Sequence, residues 1–156
     1  MSEPLKFLDA LTELAVPWGT NFEPLEERQE LRQMIVMLRG LFLCVETDGI
    51  WKFLIEEGDA KWFARARVWL RRIGAARASN YLDAAASAFP RGRIPADDEK
   101  RANMLLDSDK VSTRLRELDQ AYKGAMNDMV GRLRVHIRKH FEQFRAELED
   151  GNGHAT

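Results

Sequence analysis

Cysteine is nearly absent from this sequence, and so are the features of secreted and membrane proteins. Cys44 is the single cysteine among 156 residues, so no intramolecular disulfide can form and a reducing compartment is expected. No apolar run approaches the roughly 20 residues that a membrane span requires, and the N-terminus has no apolar stretch of signal-peptide length. We therefore expect a cytoplasmic protein that does not enter a membrane.

Motifs of enzyme and cofactor sites are also missing. The sequence contains no glycine-rich loop that would cradle a phosphate, no cluster with metal-ligand spacing and no nucleophile with a base nearby. Cys44 lies between Leu43 and Val45, where a small buried side chain is expected and nothing in the neighbouring sequence would lower its pKa. We predict a protein that is not an enzyme and that uses no cofactor.

What the chain does have is helical periodicity in its apolar residues, which make up 45% of the composition. These residues recur every three or four positions over most of the length, and strand-like alternation does not occur. The pattern predicts an all-α single domain over residues 1–148, a bundle of about six to eight helices, followed by a frayed polar tail at 149–156. The last helix is expected to be the longest, with a bend or a division near Gly124 or Gly131.

The stretch from Ile73 to Arg101 contains signals for where helices end and begin. Gly74 is placed to end one helix, and an alanine-rich helix follows it. The segment FPRGRIPADDEKR then stops that helix at Pro90 and Gly92 and begins another after Pro95, where the acids 97–99 suit the positive end of a helix dipole.

Charge is nearly balanced overall, with a net of −1, but it is unevenly distributed. Residues 61–80 carry bases and no acid, which can create a basic surface on one helix. Pairing of these arginines with neighbouring helices is the other use of such a segment. The candidate partner-binding residues are Lys61, Arg65, Arg67, Arg71, Arg72, Arg91 and Arg93.

Two alternative functions, nucleic-acid binding and metal binding, are each suggested by particular residues. The basic segment 61–77 could bind nucleic acid, with Trp62 and Trp69 stacking on bases, although tryptophans seven residues apart on one helical face are more often part of a core. His136 and His140, spaced i and i+4, could share a metal ion, but the sequence provides no evident third ligand.

Two segments carry a resemblance to a known family. FPRGRIPADDEKR after an alanine-rich helix, and then an L-x-x-L-D-x-x-Y pattern at Leu115, Leu118, Asp119 and Tyr122, resemble the DNA-mimic-protein-like bacterial domain family over about residues 30–145. The resemblance implies a helical fold and, for the member that named the family, an acidic surface that imitates DNA. Members usually have an N-G-G-F type turn where this chain reads TDGIWKFL, which retains Gly49 and Phe53.

The charge of this chain does not support the family's DNA-mimic role. A DNA duplex presents one negative charge per about 1.7 Å of axis, whereas this sequence has a net charge of −1 and a basic segment. We therefore expect a protein–protein interaction module whose partner is another protein.

Overall fold

The computed structural model describes residues 2–15, 30–56 and 60–140, together with 142 and 145. Over these ranges the chain forms eight α-helices and a short 3-10 turn, and it contains no β-strand. In chain order they are α1 (Glu3–Ala15), α2 (Glu30–Thr47), α3 (Ile50–Glu56), α4 (Ala60–Arg72), α5 (Ala76–Ser87), the 3-10 turn (Pro90–Gly92), α6 (Asp98–Asp107), α7 (Asp109–Ala121) and α8 (Ala125–Lys139). The predicted all-α bundle is confirmed, and none of these helices is both long and apolar enough to cross a bilayer.

Two helices organise the core. Helix α2 packs against α1, α3, α4 and α8, while α5 packs against α4, α7 and α8. The alanines of α5 that face its neighbours, such as Ala78 and Ala85, are fully buried. Small side chains let helices approach closely, so the alanine-rich segment serves as a central helix rather than as a flexible connection.

The C-terminal helical region is divided at Gly124. This residue has φ 87°, a left-handed conformation, and it separates α7 from α8. Gly131 lies within α8 and causes no break. The two glycines therefore differ because only Gly124 occupies a backbone conformation that most residues avoid.

The helix end predicted at Gly74 is present. Gly74 has φ 75°, and its N–H donates to the Arg71 carbonyl (3.1 Å), while the Ala75 N–H donates to the Leu70 carbonyl (2.8 Å). This pair of hydrogen bonds is a Schellman motif, in which a left-handed glycine satisfies the last carbonyls of a helix. It turns the chain sharply, so that α4 and α5 pack side by side.

The helix start predicted after Pro95 is present as well. The Asp97 carboxylate accepts a hydrogen bond from the Lys100 N–H (2.7 Å) and caps α6, with Asp98 and Glu99 in the first turn. The acids at this position are therefore accounted for by helix capping.

A buried arginine attaches α6 to the rest of the bundle. Arg101 is only 2% exposed, and its guanidinium donates to the Leu54 carbonyl (2.8 Å), the Pro95 carbonyl (3.0 Å) and the Asp98 carboxylate (2.6 Å). It therefore fixes the end of α3, the loop before α6 and the first turn of α6 relative to one another.

The Asp119 carboxylate connects three helices. Its Oδ1 accepts hydrogen bonds from the Ile50 N–H at the start of α3 (3.1 Å) and from the Tyr81 hydroxyl on α5. The Tyr81 ring stacks on Tyr122, with ring centroids 5.1 Å apart. Burial and the hydrogen bond to Asp119 raise the pKa of the Tyr81 hydroxyl far above its usual range, so it remains a proton donor at any physiological pH.

Gly49 makes this arrangement possible. Its φ is 97°, and a β-carbon at this position would overlap the Asp119 Oδ2 atom. Glycine is thus required at this position of the TDGIWKFL segment for two reasons. Its backbone is left-handed, and the Asp119 carboxylate packs against it.

We expect Gly49→Ala to destabilise the protein by about 2–4 kcal/mol, because it combines a strained left-handed alanine with a displaced Asp119. Gly74→Ala is the matched control, since Gly74 also has a positive φ but has no atom within 4 Å of an added β-carbon. It should lose only about 1 kcal/mol. Urea denaturation of both variants measures the difference, and equal losses would contradict a role for the Asp119 contact.

Candidate interaction surface

Helix geometry divides the arginines of α4 into two rows. Arg67 and Arg71, four residues apart, lie on the side facing α5. Arg65 and Arg72, seven residues apart, lie on the other side of the exposed face, with Val68 between them. We call these the inner row (Arg67, Arg71) and the outer row (Arg65, Val68, Arg72).

The inner row is paired within the fold. Arg67 forms an ion pair with Asp83 on α5, and the Arg71 Nη2 atom lies 3.8 Å from the same carboxylate. Both arginines are partly exposed, so solvent screening limits what each pair contributes to stability. The expectation that arginines of this segment pair with a neighbouring helix therefore holds for Arg67 and Arg71, and Asp83 offsets part of their charge.

The outer row combines cationic and apolar surface. The Arg65 guanidinium lies over the Trp62 ring, 5.4 Å from its centroid, and Val68 is 49% exposed. Trp62 also packs on Trp69, with ring centroids 6.3 Å apart, and Trp69 is 1% exposed. Trp69 therefore belongs to the core, and the pair does not form the open stacking platform that bases would need.

His136, in the last turn of α8, lies close to Arg72 of the outer row. Burial is the largest cause that lowers the pKa of His136, followed by the positive charges of His140, Arg72 and Lys139. The contribution of Arg72 indicates that the end of α4 lies near the last turn of α8. Val135, next to His136 in sequence, is 50% exposed.

His136 and His140 lie side by side, with ring centroids 4.6 Å apart. Among the residues that the structure describes, no group of three or more His, Cys, Asp or Glu side chains is gathered in a way that could hold a metal ion. The metal-site alternative therefore acquires no third ligand from this part of the chain.

The remaining candidate residues lie in different surroundings. Arg77 donates to the Lys123 carbonyl (2.9 Å) and so supports the turn between α7 and α8. Arg91 and Arg93 are both exposed beside the 3-10 turn. Lys61 is in α4, but its side chain lies outside the described residues. By location, the predicted basic set thus divides into inner-row, outer-row and turn residues.

Val68 and Val135 were not singled out from the sequence, and Asp119 was noted there only as part of the L-x-x-L-D-x-x-Y motif. A signal for Val68 exists, because it is an apolar residue on the polar side of an amphipathic helix. The structural role of Asp119 could not be inferred from that motif, because its partners Ile50 and Tyr81 are 69 and 38 residues away in sequence.

The resemblance seen in the sequence is confirmed by comparison with protein families. The model of the family described as DMP19-like protein matches residues 26–140. This range covers most of the chain, so the chain belongs to the DMP19-like protein family. Searches of curated proteins and of solved structures gave no match.

The positive surroundings of His136 lead to a pH prediction. We expect His136 to titrate below its usual pKa of 6.5, and Arg72→Gln to move the midpoint upward because one nearby positive charge is removed. Proton uptake by this group favours the unfolded chain, so its contribution to stability falls as the pH drops below 6.5. An NMR titration of the histidine ring protons measures both midpoints, and a midpoint at or above 6.5 in the unaltered protein would be inconsistent with the described surroundings.

Proposed function

We propose that this member of the DMP19-like family is a cytoplasmic protein-interaction module without catalytic activity. Its binding face consists of the outer row on α4 and the adjoining side of α8 around Val135 and His136. The observation that carries the proposal is the exposure of two valines, Val68 at 49% and Val135 at 50%, on helix faces that are otherwise charged. Apolar side chains surrounded by polar groups are typical of protein-binding surfaces.

The charge of the face indicates the kind of partner. Arg65 and Arg72 on α4 and Lys139 on α8 are cationic, and Arg72 and Lys139 are close enough to His136 to lower its pKa. A partner with acidic groups around an apolar patch would complement this face. Opposite charges across an interface increase the association rate and discriminate against wrong partners.

Nucleic acid is supported less well by the same residues. Proteins that depend on phosphate contacts make about 6–10 of them, whereas the inner row shares Asp83 and Arg77 is bonded to the Lys123 carbonyl. The apolar Val68 within the outer row also adds nothing to phosphate binding. These observations favour an acidic protein surface over a nucleic-acid backbone.

DNA mimicry is also less well supported than the binding of an acidic protein partner. A DNA mimic needs a dense acidic surface, but the net charge of this chain is −1, and the face with exposed valines carries positive charge. Membership of the family thus supports the fold, and the partner proposed for this chain differs from the basic DNA-binding surface that a DNA mimic occupies.

Affinity capture of the tagged protein from its native host cells tests the proposal. We expect a partner that is retained by the unaltered protein and by Arg116→Glu, a charge reversal at an exposed position of α7. Val68→Glu should reduce capture about tenfold or more, because binding would bury the new carboxylate next to the acidic groups of the partner, which repel it. Glutamate is a good helix former, and a circular dichroism spectrum checks that α4 is retained.

Two outcomes would contradict the proposal. One is equal capture by Val68→Glu and by the unaltered protein. The other is tight binding to a DNA duplex at low salt that weakens steeply with added salt, because such a dependence measures released counterions and would identify nucleic acid as the partner.

A further inference from the structure

The tight turn after α5 has an unusual residue at its first central position. Arg91 has φ 59° and ψ 18°, and Gly92 has φ 65°. The Arg93 N–H donates to the Pro90 carbonyl (3.3 Å) and closes the turn. Positive φ at both central residues is the pattern of a type I′ turn, where Asn, Asp or Gly normally occupies the first central position.

The left-handed backbone at this position does not favour an arginine. In the described part of the chain, Arg91 is the only residue other than glycine with a positive φ. Left-handed backbone at a long side chain is strained, and such outliers concentrate at functional positions. The guanidinium itself is therefore the part of this residue that a function would use.

The turn is held at both ends. Phe89, just before it, is 2% exposed, and the Pro95 carbonyl, just after it, accepts a hydrogen bond from the buried Arg101 (3.0 Å). Pro90 and Pro95 also restrict the backbone. A turn fixed in this way presents its side chains with little further loss of backbone entropy on binding.

Arg91 and Arg93 differ from Arg67, Arg77 and Arg101. Both are exposed, and within the described residues neither has a side-chain hydrogen bond or ion pair. In contrast, Arg67, Arg77 and Arg101 are each bonded within the fold. The turn is thus a rigid element that places two guanidinium groups in solvent.

The surroundings favour carboxylates over a nucleic-acid backbone. The acids 97–99 begin four residues after Arg93, at most about 14 Å along an extended chain, and they are exposed. They would repel a long run of phosphates, whereas a short acidic segment of a protein can end before it reaches them. Guanidinium groups bind carboxylates in a bidentate manner.

We propose that the Arg91–Gly92–Arg93 turn is a preformed docking point for two neighbouring carboxylates on an acidic segment of a protein partner. The proposal rests on the proposed function as an interaction module, but it concerns a different element from the face on α4 and α8. The two can therefore fail separately.

A titration with defined peptides tests the docking point directly. The probe is a short peptide with two adjacent glutamates, and its control is the same peptide with glutamines. We expect the glutamate peptide to shift the NMR signals of the Arg91 and Arg93 side-chain N–H groups saturably, and the glutamine peptide to leave them unchanged. Arg93→Gln should weaken binding about tenfold, the effect of losing one charge-assisted contact, while Arg116→Gln at an exposed position of α7 should not.

Arg91→Asn separates binding from folding. Asparagine is favoured at this turn position, so the variant should melt at or above the temperature of the unaltered protein while it loses peptide affinity about tenfold. Loss of stability together with unchanged affinity would overturn the proposal, since the arginine would then have a structural role.

The remaining outcomes are also decisive. No shift with the glutamate peptide would overturn the docking point, and the proposed function would still stand if Val68→Glu abolished capture of the partner. Stronger binding of an oligothymidine than of the glutamate peptide would likewise overturn it and would assign the turn to nucleic acid.

Discussion

The fold depends on one carboxylate that joins segments distant in sequence. Asp119 on α7 accepts hydrogen bonds from the first N–H of α3 and from the Tyr81 hydroxyl on α5. An ionised acceptor makes each of these bonds stronger than a neutral one, and their partial burial increases the penalty for losing either donor. The position of α3 is therefore set by this polar contact in addition to the apolar packing of its buried residues Ile50, Phe53 and Leu54.

This contact also explains the motif that the chain shares with its family. In L-x-x-L-D-x-x-Y, Leu115 and Leu118 are core residues, Asp119 is the acceptor, and Tyr122 stacks on the tyrosine that donates to it. Gly49 is needed because a side chain there would displace the carboxylate. The motif thus describes how the helices are held together. For that reason, membership of the family accounts for the architecture of this chain.

Local chemistry made much of the fold predictable from the sequence. Gly74, Gly124 and Asp97 act within a few residues of themselves, by adopting left-handed backbone or by capping a helix, so their effects can be inferred without a structure. The candidate surface could not be inferred in the same way. Whether an arginine is paired depends on partners such as Asp83, which is 16 residues from Arg67 in the sequence and reaches it only because α4 and α5 pack side by side.

The hydrogen bonds and ion pairs of the arginines bear on where we propose that a partner binds. The densest basic segment is α4, but its inner row and Arg77 are bonded within the fold, and charge density in the sequence therefore overstates its available charge. Arg91 and Arg93 contribute fewer charges, yet they are held on a strained, anchored turn in solvent. Because a preorganised backbone loses less entropy when it binds, two arginines on an anchored turn suffice for the docking point that we propose. Conformation and pairing, more than the number of charges, thus determine which cations can recognise a partner.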